Sequence, residues 1–91
     1  MPELRIFVQH EVGLHARPAS LFIQTAKRFE AEISIRNLTE PGEAVDGKSI
    51  IGVLTLGVHK DHEVLIEAVG ADAEQALAAL QQLIRDNFGG V

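Results

Sequence analysis

Residues 13–20 place an ionisable histidine, His15, close to an arginine and a proline in the sequence Gly-Leu-His-Ala-Arg-Pro-Ala-Ser. Pro18 lacks a backbone N–H and has a φ angle preset near the helical value, so it predicts the first turn of a helix. Because Pro18 disfavours a helical conformation at the residue before it, the N-cap is Arg17 or a residue just before it. Gly13 allows the backbone to turn sharply into this helix.

A helix start gives His15 surroundings that suit an anion. Several backbone N–H groups of the first turn lack partners within the helix, and they carry the positive end of the helix dipole. An imidazole nitrogen can attack phosphorus, and the resulting dianion would meet the N–H groups of Ala16 and Arg17 and the forked Arg17 guanidinium. The pattern favours a histidine that accepts phosphate, although a histidine beside a helix start can also be a surface residue or an indifferent cap.

Two stretches of the chain resemble the HPr family, the histidine-containing phosphocarriers of the bacterial phosphoenolpyruvate-dependent sugar phosphotransferase system. Residues 13–20 are similar to the active-site signature of that family, and residues 46–53, Asp-Gly-Lys-Ser-Ile-Ile-Gly-Val, are similar to its regulatory serine segment. The resemblance continues through Gly57 and residues 70–72 to the last predicted helix. It therefore implies one HPr-like phosphocarrier domain over residues 1–91.

The resemblance implies a function in a phosphoryl relay. His15 would accept phosphate from phospho-enzyme I and pass it to sugar-specific EIIA proteins, with Arg17 stabilising the transferred charge. Such a carrier holds no cofactor and is a component of a relay, not a stand-alone catalyst. A nitrogen-branch or regulatory paralogue, a carrier domain from a larger fusion enzyme, and a non-catalytic interaction domain are the alternatives.

The second signature contains Ser49, for which two roles are open. Ser49 can be the N-cap of a short helix, which is sufficient to explain a serine at this position. It can also be a regulatory phosphorylation site, since a dianion beside an apolar docking surface would hinder enzyme I. HPr kinase/phosphorylase and a catabolite-control regulator would then be further protein partners.

Candidate docking residues follow from the resemblance and from two predicted helix faces. The family uses an apolar patch after the regulatory serine for partner proteins, whereas the alternative is that these residues belong to the ordinary core. Four basic residues, Arg17, Lys27, Arg28 and Lys48, are expected to gather near His15. The candidate docking residues are Ser20, Gln24, Lys27, Lys48, Ile50, Ile51 and Leu54.

One position departs from the family pattern. Residue 12 is Val, whereas many family members carry a polar side chain there that can form a hydrogen bond near the histidine ring. In this chain we therefore expect backbone groups alone to orient the imidazole of His15.

The composition narrows the possible function classes. The chain has 91 residues, of which 46% are hydrophobic, and this is enough for one modest core. It contains no cysteine, which excludes a disulfide framework or a thiolate metal site. A net charge of −5 and the lack of Trp and Tyr argue against nucleic-acid binding. We expect a cytoplasmic monomer without a membrane segment.

Two histidines, His59 and His62, flank a predicted polar turn. Histidines three residues apart can share a metal ion on a helix, but a turn does not present them in that way and no third ligand cluster is evident. No metal site is therefore expected.

Hydrophobic periodicity predicts seven elements. Apolar residues alternate with polar ones where strands are expected and recur at intervals of three and four where helices are expected. The predicted strands cover residues 2–9, 31–36, 43–46 and 63–69, and the predicted helices run from the His15 region to 29–30, from 49 to 57 and from 72 to 89–90.

Turn and cap residues refine this prediction. Residues 40–43, Glu-Pro-Gly-Glu, have the chemistry of a type II turn, and this connection is a few residues longer than is typical of the family. Ser49 and Gly57 are expected to begin and end the short helix. Asp72, with Gln75 three residues later, predicts a capping box at the start of the last helix.

The order β-α-β-β-α-β-α predicts an α+β open-faced sandwich, in which three helices cover one face of a four-stranded antiparallel sheet. The spatial strand order 1-4-2-3 is implied by the resemblance to the HPr family.

Overall fold

The computed structural model describes residues 2–90, so Met1 and Val91, the ends of the expected domain, lie outside the described residues. Its elements follow the predicted order. They are β1 (Glu3–Val8), α1 (Ala16–Ala26), β2 (Glu32–Asn37), β3 (Val45–Asp46), α2 (Ile50–Thr55), β4 (His62–Val69), α3 (Ala73–Arg85) and a 3-10 segment (Asn87–Gly90).

The four strands form one sheet in the order β1-β4-β2-β3, and every neighbouring pair is antiparallel. In the register, Val8 lies opposite His62, and Asn37 lies opposite Val64. The predicted open-faced α+β sandwich and its strand order are confirmed. Strand β3 is shorter than predicted, since it contains only Val45 and Asp46.

The core lies between the sheet and the helices. Alternate residues of the central strands are buried, as the period of two requires, and Phe22 of α1 and Leu80 of α3 are fully buried opposite them. Burying a side chain of this size contributes about 1.5–3 kcal/mol relative to leaving it exposed. On β1 the alternation places Val8 in the core, whereas Phe7 is 55% exposed on the open face.

Helix α1 is shorter than predicted, because it ends at Ala26 and not near residues 29–30. The Asp72 carboxylate accepts hydrogen bonds from the backbone N–H groups of Glu30 (2.9 Å) and Ala31 (2.8 Å). These bonds hold residues 30 and 31 in a connection to β2. The capping box predicted for α3 is therefore wrong, since the Asp72 side chain makes no cap hydrogen bond to its own helix.

One predicted turn and one predicted helix end also differ from the structure. Gly42 has no positive φ angle, so the type II turn predicted over residues 40–43 is wrong. The reversal instead follows Asn37, whose buried side-chain Oδ1 accepts from the N–H groups of Thr39 (2.9 Å) and Glu40 (3.1 Å). Helix α3 ends at Arg85, before the predicted stop at residues 89–90.

Helix α2 begins and ends as predicted. The Ser49 hydroxyl accepts a hydrogen bond from the Gly52 N–H (3.1 Å), which makes Ser49 the N-cap. Gly57 has a φ of 65° directly after the C-cap residue Leu56, as a left-handed helix stop requires. The chain then leads through Val58 into a loop beside the amino terminus of α1. No helix within residues 2–90 is long and apolar enough to cross a membrane.

Candidate functional site

His15 is the N-cap residue of α1, two positions before Arg17. Its backbone is extended (φ −123°, ψ 161°), and its side chain makes no cap hydrogen bond. The half-buried imidazole forms no hydrogen bond with any residue of the described chain, so both ring nitrogens are available for chemistry. The first-turn N–H groups of Ala16 and Arg17 lie directly after it, where an anion is stabilised.

The loop that carries His15 is held against the loop that follows α2. The Leu14 N–H donates to the carbonyl oxygen of Val58 (3.0 Å), and both side chains are buried. Gly13 has a φ of 63°, and a Cβ added there would lie 2.1 Å from the Val58 carbonyl oxygen. Only glycine permits this close approach of two backbones, which fixes the position of His15 relative to residues 58 and 59.

His59 is the side chain that this approach brings next to His15. The two imidazole ring centroids are 5.6 Å apart and the ring planes are tilted by 37°. His59 in turn contacts His62 edge to face, with 5.4 Å between ring centroids. The expectation that backbone groups alone orient the His15 ring is therefore wrong, because the ring forms no hydrogen bond with a backbone group of the described residues and instead lies against the His59 ring. Sequence reasoning noted His59 as part of a polar turn and did not assign it to the site.

Arg17 is exposed in the first turn of α1, and it forms no ion pair with the part of the chain that the structure describes. Its guanidinium is available to an incoming anion. The predicted gathering of four basic residues near His15 is not observed. Lys27 and Arg28 follow the other end of α1, about 16 Å along the helix axis, and Lys48 donates through Nζ to the Phe29 carbonyl oxygen there (2.6 Å).

The predicted apolar patch is exposed. Ile50, Ile51 and Leu54 of α2 are 41%, 73% and 38% exposed, so the alternative that they are ordinary core residues is wrong. Val12, 47% exposed, adds apolar surface in the loop before His15. Such an exposed apolar patch is typical of a protein-binding surface.

The other candidate docking residues lie on and around α1. Gln24 donates through Nε2 to the Ser20 hydroxyl (3.1 Å) on its outer face. Lys27 is exposed at the carboxyl end of the helix, whereas the bond to Phe29 holds the Lys48 ammonium. Along α1, Ser20 therefore lies nearer His15 than Lys27 does. The Lys48 ammonium lies beyond the carboxyl end of the helix.

The site is a surface around the start of α1 and not a deep cavity. A depression of about 500 Å³ lies elsewhere, on the open face of the sheet, where Ser34, Glu67 and Val69 are among its lining residues. No group of three or more His, Cys, Asp or Glu side chains within residues 2–90 is arranged to hold a metal ion. A half-buried imidazole at a helix start, with an exposed arginine two residues later, suits transfer between proteins better than capture of a small substrate.

Comparison with known proteins places this geometry in a family. The family model described as the PTS HPr component phosphorylation site matches residues 3–86. The crystal structure of HPr-C-His from Thermoanaerobacter tengcongensis has a TM-score of 0.92 and 42% identity, covering 98% of this chain and 97% of that chain. That of the phosphocarrier protein HPr from Bacillus anthracis str. Ames has a TM-score of 0.84 and 40% identity, covering 91% and 95%.

Longer relatives also match. The multiphosphoryl transfer protein of Escherichia coli O157:H7 is 43% identical over 82 residues, which are 90% of this chain and 22% of that protein. This chain therefore spans about a fifth of the length of that relative. The family match, the shared fold and the half-buried histidine at the start of α1 agree, and the chain belongs to the PTS HPr family.

Proposed function

We propose that residues 1–91 form one phosphocarrier domain of the sugar phosphotransferase system, which acts as a monomer in the cytoplasm. His15 receives a phosphoryl group from phospho-enzyme I and delivers it to EIIA proteins. One observation carries this proposal: an imidazole with both nitrogens free lies at the positive end of α1, two residues before Arg17, whose guanidinium is also free. Membership in the family favours this function over a non-catalytic interaction domain.

The transfer follows from the chemistry of the imidazole. A lone pair of His15 attacks the phosphorus of the donor, a nitrogen–phosphorus bond forms, and the bond between phosphorus and the donor atom breaks with its electron pair on the donor. Delivery to the acceptor reverses this, since the imidazole leaves with the electron pair. Catalysis consists mainly of positioning and charge stabilisation, which the Ala16 and Arg17 N–H groups and the Arg17 guanidinium supply.

The docking surface consists of the patch formed by Ile50, Ile51 and Leu54 together with the outer face of α1, where Ser20 and Gln24 lie. The apolar patch excludes water from the transfer interface, and Arg17 attracts acidic or phosphorylated partners. Because the carrier must leave one partner to reach the next, we expect small and transient interfaces.

The first experiment is an intact-mass measurement after incubation with phosphoenolpyruvate and a bacterial enzyme I. Wild-type protein should gain one phosphate, which is lost in acid and kept in base, and His15→Ala should gain none. Absence of phosphate on folded wild-type protein with several enzyme I sources would contradict the proposal. Transfer onward to sugar-specific EIIA proteins distinguishes a sugar carrier from a nitrogen-branch or regulatory paralogue, which would phosphorylate other acceptors.

Ser49 is proposed as a regulatory site for HPr kinase/phosphorylase, with a catabolite-control regulator as a further partner. The hydroxyl caps α2 directly before the exposed Ile50 and Ile51, so a phosphate there would place two negative charges on the docking surface. Incubation with HPr kinase and ATP should add one phosphate to wild type and none to Ser49→Ala. An unmodified, folded wild-type protein would contradict this role.

A further inference from the structure

We propose that His59 is a second charged group of the phosphoryl site, which in its imidazolium form pairs with the phosphoryl group on His15 and stabilises the phosphorylated carrier. This inference rests on the proposed phosphorylation of His15. His59 acts in this way only after the phosphoryl group has bound to His15.

The geometry supports the pairing. The two ring centroids are 5.6 Å apart and the ring planes are tilted by 37°, so the rings are close but not stacked in parallel planes. The oxygens of a phosphoryl group bound to a nitrogen of His15 extend beyond that ring and come within reach of a neighbouring imidazolium. Hydrogen bonds between an N–H and a charged oxygen are about twice as strong as those between neutral groups.

The backbone holds His59 in this position independently of the ring contact. The backbone N–H of His59 donates to the ring Nδ1 of His62 (3.2 Å). The backbone N–H of His62 donates to the His59 carbonyl oxygen (3.1 Å). In the same loop, Asp61 has a φ of 70° and donates its N–H to the Val8 carbonyl oxygen on β1 (2.7 Å). The second imidazole is therefore supplied by a closed turn and not by a free loop.

His62 is not the group that responds to the phosphoryl charge. Its Nδ1 accepts the backbone N–H of His59 and lies 3.2 Å from the side-chain Nδ2 of Asn37, so this nitrogen is occupied within the turn. The other ring nitrogen of His62, Nε2, lies 3.6 Å from the Glu40 carboxylate. The other titratable or charged groups on the segments around His59 are His10 and Glu11 in the loop before α1, Arg17 in α1, and Lys60 and Asp61 in its own loop.

The proposed stabilisation of the phosphorylated carrier by His59 depends on pH. A dianion on His15 favours the charged form of a neighbouring imidazole, and histidine is the side chain whose charge changes near neutral pH. The stabilisation of the phosphorylated carrier by His59 is thus present in mild acid and is lost in base. Arg17 keeps its charge throughout this range and cannot produce the same dependence.

The test is a competition for one phosphoryl group. Phosphorylated wild type is mixed with an equal amount of an unphosphorylated variant and catalytic enzyme I, and intact mass gives the partition at equilibrium. Because both proteins carry His15, its own titration affects both sides equally. At pH 6 we expect about fivefold partition toward wild type over His59→Asn, and at pH 9 less than about twofold.

Two further variants separate charge from packing. His59→Lys keeps a positive charge at both pH values. In competition with this variant, the preference of the phosphoryl group for wild type should therefore be no greater at pH 6 than at pH 9. Lys60→Gln, a matched loss of charge at the next residue, should partition almost evenly.

An even partition for His59→Asn at pH 6 would overturn the inference, as would an uneven partition that is unchanged at pH 9. Circular dichroism checks that each variant is folded. If wild type takes no phosphate from enzyme I, the proposed function fails first; if His59→Asn is phosphorylated and partitions evenly, this inference alone fails.

Discussion

Ala16 lies between the proposed phosphoryl acceptor and its arginine, and its φ of 49° is in the left-handed region that side chains with a Cβ rarely adopt. Such a conformation costs on the order of 1–3 kcal/mol and persists only where the surroundings fix it. Here Pro18 is buried two residues later and His15 is extended one residue before. The chain thus turns sharply between His15 and Arg17, which is how the site combines an N-cap histidine with a first-turn cation.

At the residue scale, Arg17→Gln tests the charge stabilisation. Loss of hydrogen bonds from a charged group costs about 1.5–3 kcal/mol, so we expect the rate of phosphorylation by enzyme I to fall about 10- to 100-fold. Stability should change by less than about 0.5 kcal/mol because Arg17 is exposed. Rapid-quench kinetics measures the rate. Arg28→Gln, beyond the far end of α1, serves as the matched control, and equal rates for the two variants would contradict the role of Arg17.

Asp72 gives a second prediction at this scale, on stability. The backbone N–H of Glu30, with that of Ala31 and the charge of Lys48 in support, lowers the pKa of Asp72 below its ordinary value. The ionised form is therefore favoured in the folded state, and its contribution is complete above the unfolded pKa and lost as pH falls through the folded one.

Asp72→Asn should consequently cost stability at pH 7 and progressively less below pH 4. Urea unfolding followed by circular dichroism at several pH values measures the difference. Glu43→Gln, an exposed acid in the β2–β3 connection, should show no such trend. A cost for Asp72→Asn that is the same at pH 7 and at low pH would contradict the linkage.

At the scale of elements, the sequence predicts what depends on neighbours along the chain. The α2 cap at Ser49 and its stop at Gly57 are local signals, and both are confirmed. The end of α1 could not be predicted in this way, because it depends on Asp72, more than 40 positions away from the N–H groups that it binds. A carboxylate that looks like a local cap can equally satisfy another segment, and only the fold decides between the two.

Gly13→Ala tests the contact between the two site loops. A Cβ there would lie 2.1 Å from the Val58 carbonyl oxygen, and the φ of 63° is unfavourable for alanine. We expect a loss of at least about 2 kcal/mol in the free energy of unfolding and slower phosphorylation of the folded protein. Gly42→Ala, with nothing within 4 Å of the added Cβ, should be neutral or slightly stabilising. Similar stabilities for the two variants would show that the loops adjust freely.

At the scale of the whole molecule, the site is assembled from segments that are distant in sequence. The motif around His15 predicts that the proposed acceptor and Arg17 lie at one helix start, and this placement is confirmed. His59 was missed because its contact with His15 depends on α2 packing against α1 and on the backbone contact at Gly13. The spacing of His59 and His62 suggested a metal pair at most, whereas the fold pairs His59 with a histidine 44 positions earlier.

Phe88 connects the carboxyl-terminal segment to this assembly. It is 1% exposed, and its ring meets His10 edge to face at 5.8 Å, while the His10 carbonyl oxygen accepts from the Gly13 N–H (2.9 Å). Removing the ring should therefore destabilise the core and also loosen the loop before His15.

Phe88→Ala should cost about 3–5 kcal/mol, a large part of the roughly 5–15 kcal/mol that holds a domain of this kind folded. If residues 1–91 form one domain, as proposed, urea unfolding should still give one transition, shifted to lower denaturant concentration. Amide hydrogen exchange should be faster at residues 12–14 in this variant, because the support behind His10 is lost. Phe7→Ala, on the open face of the sheet, should cost less than about 1 kcal/mol and leave that exchange unchanged. Equal exchange at residues 12–14 in the two variants would show that the carboxyl-terminal segment supports the core without reaching the phosphoryl site.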